Sequence, residues 1–447
     1  MRRMLRMNLF LGISVLFILT IAELVFSSDE LPLIKGVLSL KESIRIALKN
    51  STLIQERKEA ILQVMAEKET SYADFWPKVS TGYSYSGLSE EPFMNFGGQK
   101  IPTSTRDNYR WDVTLNQPVF TGFALKNKYE LSKIGFDIAK YYENQARKNV
   151  ILEVKKGYYQ ILKAQKSHEV ALEAVRHLEA HLKDAEALYK YELIPKNDLL
   201  KSQVTLAHAR QDVVKAENQV NLAISHFNTI LRIGINYPTK VEDTLVVKPL
   251  LIGMEEAIEI ALKNRPEVKA LEAAVKGKEM GISLAKSAYY PEVALVGKYE
   301  RMGDTPEVNG NNLTNKEMGS IILQARWTFF EWGKTKSEVK KAESQKREME
   351  QVLTRVREGI MLEVKQAFLN LMESEKNIET ARESINQAEE NYRITNLQYQ
   401  QQLTTSTEVL EARTLLTQSK NYYYHALYGY HEAGAHLDRA MGLETEE

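Results

Sequence analysis

The chain of 447 residues contains no cysteine. That excludes disulfides, cysteine-held metals, cysteine nucleophiles and a lipid anchor on an N-terminal cysteine. Proline is scarce, at 11 residues, and none falls between Pro118 and Pro195. An unbroken stretch of that length permits one very long helix. Net charge is missing too, because 59 basic residues balance 59 acidic ones. There is no nucleic-acid footprint. No GxxxxGK[ST] phosphate loop occurs, so any energy must come from a partner. His431-Glu432 with His436 has one residue too many for a zinc helix. His177 and His181 are spaced i, i+4 but have no third ligand, and read as surface histidines. The pattern calls for no enzyme, no cofactor and no metal.

The N-terminus has the layout of an export signal over residues 1–27. Arg2, Arg3 and Arg6 precede an uncharged run from Leu9 to Ala22, and Val25-Phe26-Ser27 offers a cleavage site. A retained anchor is the alternative, but the run ends at Glu23, short of the ~20 residues a span needs. No later segment is apolar enough for a transmembrane helix.

The proline-free stretch carries a heptad stripe: Val150, Val154, Gly157, Ile161, Ala164, His168, Ala171, Val175, Leu178, Leu182, Ala185 and Tyr189. Steps of four and three mark a helix wound against others. The stripe recurs from Ile360 to Tyr399. It is part of a larger duplication. LSLKESIRIALKNS at Leu38 returns as IGMEEAIEIALKNR at Ile252, and Phe75-Trp76-Pro77-Lys78-Val79 returns as Tyr289-Tyr290-Pro291-Glu292-Val293. The expected organisation is a first repeat over 28–235, a linker over 236–251, a second repeat over 252–442 and a short tail over 443–447. Each repeat reads as a moderate helix (40–75; 254–289), a β-hairpin (79–120; 293–330), a long helix (124–192; 334–402) and a returning helix (197–232; 407–441). The two moderate helices of a repeat, end to end, approach the length of the long one.

The hairpin strands alternate with period two. Val79, Thr81, Tyr83 and Tyr85 oppose Ser80, Gly82, Ser84 and Ser86; Tyr109, Trp111, Val113 and Leu115 oppose Arg110, Asp112, Thr114 and Asn116. In the second repeat Val293, Leu295 and Tyr299 oppose Lys298 and Glu300, although Val296 blurs the alternation. Ile321, Leu323, Ala325, Trp327 and Phe329 oppose Gln324, Arg326 and Thr328. An apolar, aromatic-ended face against a hydrophilic one suits a membrane barrel with a wet lumen. A half-buried sheet on a soluble core is the other reading. The loops 87–108 and 302–319 would lie outside the cell. Four strands cannot close a barrel, and an open edge in lipid is not tolerated. Oligomerisation is therefore expected.

Signal, duplication and strands together resemble the TolC-like outer-membrane efflux protein family. The segments that carry the resemblance are FWPKV with YYPEV, PVFTG with FFEWG, and YELIPKNDLLKSQ with YQQQLTTSTEVLEAR. The fold it implies is mainly α with a membrane β-barrel contribution. A homotrimer of these duplicated coiled-coil protomers would form a 12-strand barrel on an α-helical periplasmic tube in the outer membrane. The implied function is passive conduction for a tripartite efflux pump or type I secretion system, with a periplasmic adaptor and an inner-membrane pump as partners. An exported coiled-coil spacer or stalk without channel activity is the competing reading. The resemblance also implies a gate at the periplasmic tip. By position, Tyr399 matches a gate tyrosine, Asn197 and Asp198 its bonding partners, and Glu408 and Glu411 an acidic ring. Thr404 stands where an arginine can occur, and Glu192 and Gln402 where glycine is common.

Overall fold

The computed structural model describes residues 36–243 and 252–444. The expected export signal and part of the expected linker lie outside them. Eight α-helices, one 3₁₀ turn and eight strands are described. Helix α1 (Leu40–Asn50) is capped by the Ser39 side chain, which accepts from the Glu42 amide. Helix α2 (Thr52–Ala73) follows at once. One continuous helix over 40–75 was expected, but Ser51 breaks it. Ser51 has extended backbone, ends α1 and caps α2 through the Ile54 amide. The second repeat breaks at the equivalent point, between α5 (Met254–Asn264) and α6 (Pro266–Lys286), with the 3₁₀ turn Ser287–Tyr289 beyond. There Arg265 is extended and Pro266 sits in the first turn, where its missing N–H costs nothing.

The long helices are α3 (Ala124–Lys190) and α7 (Lys334–Gln400), each of 67 residues. At ~1.5 Å per residue each spans about 100 Å. The returning helices are α4 (Lys196–Leu231) and α8 (Ser406–Ala440). At the top of α4, the Leu231 carbonyl accepts from Asn50 and the Arg232 guanidinium donates to Thr52. Thus α4 meets the start of α2. At the top of α8, the Ala440 carbonyl accepts from Arg265, beside α6. Two stacked pairs, α2 with α4 and α6 with α8, match the two long rods. In the upper half α2 and α6 flank α3, and α7 lies beyond α6; in the lower half α4 and α8 flank α3, and α7 lies beyond α8.

Strands β2 (Lys78–Gly87), β5 (Asp107–Thr121), β7 (Glu292–Gly303) and β8 (Glu317–Arg326) form one antiparallel sheet in that order. The order repeats that of the rods, because each strand leaves or enters the helix below it. The register puts Val79, Leu115 and Ile321 in one row, and Tyr83 beside Trp111 in another. This face is exposed: Ile321 is 81% and Leu323 68% accessible. Ser80, Thr114 and Lys298 share the opposite face, as do Asp112 and Glu300. On that face Lys298 pairs with Glu300 at 2.5 Å and Arg110 approaches it at 4.0 Å. Val296 also points there, beside Ile322, so the blur in the pattern is a real apolar pair on the polar face. The fourth strand ends at Arg326 rather than near Phe329, because β7 begins at Glu292 and offers no partner beyond it. Phe329, Phe330 and Trp332 then protrude below the sheet, Trp332 at 90% accessible.

Within the expected loop 87–108 lies a small hairpin, β3 (Phe93–Phe96) with β4 (Gln99–Pro102), turned by Gly97-Gly98. Both glycines have positive φ, as a two-residue hairpin turn requires. Near mid-height, β1 (Val37–Leu38) pairs with β6 (Lys240–Val241). The Tyr158 hydroxyl pins this pair by accepting from the Glu242 amide at 3.1 Å. On the other side Arg265 holds Glu267 at 2.9 Å and Glu363 at 2.5 Å, while Arg439 holds Glu267 at 2.7 Å. Burial would raise the Glu267 carboxyl, but the two guanidiniums outweigh it and bring it down to about 2. Among the described residues no helix is long and apolar enough to cross a membrane.

Candidate functional site at the helical tip

The lower ends of α3 and α7 finish alike. Glu192 and Gln402 take φ of 58° and 61°. The Glu192 amide donates to Tyr189 O and the Leu193 amide to Leu188 O. The Gln402 and Leu403 amides do the same to Tyr399 O and Gln398 O. These are Schellman motifs, and they form with ordinary side chains in place of glycine. A β-branched residue tolerates positive φ least, so Gln402→Val should lower stability by about 1–2 kcal/mol. Denaturant midpoints would check this, and an unchanged midpoint would refute it.

Beyond the turns α4 and α8 start side by side. Thr405 caps α8 by accepting from the Glu408 amide at 3.4 Å. Thr404 donates its hydroxyl to the Glu408 carboxylate, so two of the expected residues meet. Glu411 lies one turn on along the same exposed face. With Asn197, Leu200, Lys201 and Val204 it lines a groove of about 760 Å³ between α4 and α8. Lys201 crosses it to the Thr407 hydroxyl at 3.0 Å.

Tyr399 is not at this surface. It is only 2% exposed. Its ring stacks at 4.8 Å on His181, and its hydroxyl has no hydrogen-bond partner among the described residues. The expected bond to Asn197 or Asp198 is not made within the protomer. Asp198 acts through its backbone instead, its carbonyl accepting from Ser202 at 3.0 Å. Burial pushes the Tyr399 phenol up, and the nearby Ser406 hydroxyl opposes this.

The residues at the centre were missed by sequence reasoning. His181, read as a surface residue, is 3% exposed. Its Nε2 lies 2.8 Å from Ser406 Oγ, which lies 3.1 Å from Ser202 Oγ. With Tyr399, all four lower helices meet here. A signal existed: Ala174, Leu178, His181 and Ala185 follow steps of four and three on α3 and are all buried. They form a second stripe that shares Leu178 and Ala185 with the first; Leu178 packs on Leu206 of α4 and Leu410 of α8, and His181 reaches the Tyr399 ring of α7.

One to two turns higher lies a charged cluster. Glu173 accepts from Lys420 at 2.8 Å and lies 3.8 Å from Arg413. Arg413 is 3% exposed, rests against the Tyr392 ring at 5.5 Å, and makes no hydrogen bond to the described residues through any guanidinium nitrogen. Burial pulls its pKa down. His177 sits between Glu173 and Tyr392. No three acidic or histidine side chains among the described residues gather as metal ligands.

The profile of the outer membrane efflux proteins matches residues 44–228 and 257–443. The chain belongs to the outer membrane efflux protein family. No curated protein matches it in sequence. Its fold is similar to the outer membrane channel CmeC of Campylobacter jejuni, at 17% identity and a TM-score of 0.77 over 90% of this chain and 85% of that one. It is similar to VceC of Vibrio cholerae, at 14% identity and a TM-score of 0.78 over 90% and 96% of the two chains. It is also similar to the open state of the Neisseria gonorrhoeae MtrE channel, at 16% identity and a TM-score of 0.74 over 90% and 89%. The outer membrane efflux protein thus has two halves, each matched by the family profile, and its tip is formed where the lower helices of both halves converge.

Proposed function

We propose that three copies of the chain form a conduit from periplasm to exterior, opened at the helical tip by contact with an adaptor and an inner-membrane pump. The observation that carries this is the shared order of strands and rods. The sheet order β2, β5, β7, β8 leaves β2 and β8 as open edges, and the rods above and below leave α2 with α4 and α7 as outer members. Joining β8 of one copy to β2 of the next closes sheet and rods together. Both edges carry apolar residues to be covered: Leu62 and Leu222 on α2 and α4, Leu362 and Leu369 on α7. The two repeats, 28–235 and 252–442, supply two rods each to this ring, one long helix and one stacked pair. The exposed apolar row through Val79 and Ile321 faces lipid, and the row through Lys298 and Glu300 lines the lumen. A spacer without a channel would need neither row.

The test is conductance of purified protein in planar bilayers, with cross-linking to count copies. A monomer that stays soluble without detergent and never conducts would sink the proposal. Glu408 and Glu411, exposed on one face of α8, would ring the entrance three times over and attract cations. Glu408→Gln with Glu411→Gln should move the reversal potential in a salt gradient toward zero. An unchanged potential would place both residues away from the permeation path.

A further inference from the structure

Three hydrogen bonds at the tip form a chain whose direction follows from counting protons. Ser202 gives its single hydroxyl proton to the Asp198 carbonyl at 3.0 Å. Its oxygen is then left to accept from Ser406, 3.1 Å away. With the Ser406 proton so committed, His181 Nε2, at 2.8 Å, must be the donor. Neutral His181 is therefore the Nε2–H tautomer, and its Nδ1 carries a lone pair. Nδ1 is buried and has no partner among the described residues. The chain ties α3 to α8 and α8 to α4, while the Tyr399 ring ties α7 to the imidazole at 4.8 Å.

We propose that the chain His181–Ser406–Ser202–Asp198 carbonyl is the latch of the closed tip, and that a proton on His181 Nδ1 releases it. The proposal rests on the tip being the gate. A second proton puts a donor and a full charge on a buried nitrogen that faces no acceptor among the described residues. Parting the four helices exposes the imidazole to water, where the cation is stable.

The ionisable neighbours do not supply a counter-charge inside the knot. Asp184, on α3 itself, favours the cation but is exposed. From α4, Lys201 is engaged with Thr407 and Asp198 contributes its carbonyl. From α8, Glu408 is engaged with Thr404. From α7 comes the Tyr399 phenol, itself pushed up by burial. Burial outweighs Asp184 and holds His181 below its ordinary value. The closed tip thus binds the proton less tightly than the open one. Above the ordinary histidine value of about 6.5, closure is insensitive to pH. Below it, closure weakens as pH falls, by up to about tenfold per unit for each latch, until the closed-state value is passed. Glu267, at about 2, keeps the mid-height clamp charged throughout. Acid therefore parts the tip and leaves the clamp intact.

The natural lack of cysteine makes the test clean. Spin labels at Leu193→Cys and Leu403→Cys, both exposed on the two turns, report tip separation. Conductance is read on the same assembled protein. His181→Gln keeps a donor toward Ser406 but cannot titrate, and Ser406→Ala cuts the chain. Between about pH 7.5 and pH 5, either side of the histidine value, the labels should move apart in the parent and stay put in His181→Gln. In Ser406→Ala they should be apart at both. Parent and His181→Gln responding alike, or no movement in the parent, would overturn the latch. Labels that part without any rise in conductance would uphold the latch and refute the tip as the gate.

Discussion

Ile321→Arg should abolish stable insertion of the assembled protein, while Gln324→Arg, three residues along the same strand, should be tolerated. Ile321 lies mid-strand on β8, is 81% exposed, and shares its row with Leu115 and Val79 across the sheet. Gln324 points to the other face, beside Ala294. An arginine facing lipid near the midplane costs about 2–4 kcal/mol, and a trimer would carry three. An arginine in a wet lumen meets water and costs little. Detergent-resistant oligomer on gels and the membrane-inserted fraction would be measured for both variants. Equal insertion of the two would mean that the apolar row does not face lipid.

The second large effect is expected at Arg413. A buried guanidinium without a hydrogen bond among the described residues is tolerable because Glu173 lies 3.8 Å away and the Tyr392 ring lies against it. Glu173→Ala should destabilise by about 2–4 kcal/mol, the lower part of the range reflecting the partial exposure of Glu173. Arg413→Met removes the charge and keeps the bulk, so alone it should be neutral or stabilising. Added to Glu173→Ala it should recover most of the loss. This is the coupling a double-mutant cycle isolates. Thermal midpoints in detergent would provide the four values. If the double variant is as unstable as Glu173→Ala, the damage lies in packing and not in the stranded charge.

The heptad stripes were legible because burial on a coiled helix repeats in steps of four and three. Val154, Ile161, Ala164 and Leu178 are buried as their spacing implies. Farther down, Val175 and Leu182 are only half-buried, and Ala174 and His181 take the interior. Helix α3 there packs against α8 as well as α4, and one stripe cannot describe two neighbours. The breaks at Ser51 and Arg265 were written locally, in a capping serine and in Pro266, yet the apolar period running through them hid both. The β3–β4 hairpin was announced by Gly97-Gly98 between short apolar strands.

His181 shows the limit most clearly. Its i, i+4 partner His177 invites a metal or a surface reading, and only the approach of Ser406, 225 positions away, makes it a buried donor. Tyr399 shows the same limit from the other side. Its position pointed to the tip, but whether its hydroxyl bonds to Asp198 depends on how deeply α7 seats its last turn, and the turn seats it fully.

By itself, the sequence determined what periodicity and composition can carry: two long rods, a duplication, four two-faced strands and the demand for further copies. These are properties of chain segments, and each segment contains its own signal. Only the tertiary structure decided which side chains meet at the tip. Contacts among α3, α4, α7 and α8 bring together residues far apart in the chain, and no local pattern encodes such a distance. The turn motifs at Glu192 and Gln402 lie between these cases, because the left-handed residue follows from the need to end a helix, while its tolerance of glutamate and glutamine follows from the hydrogen bonds that hold it.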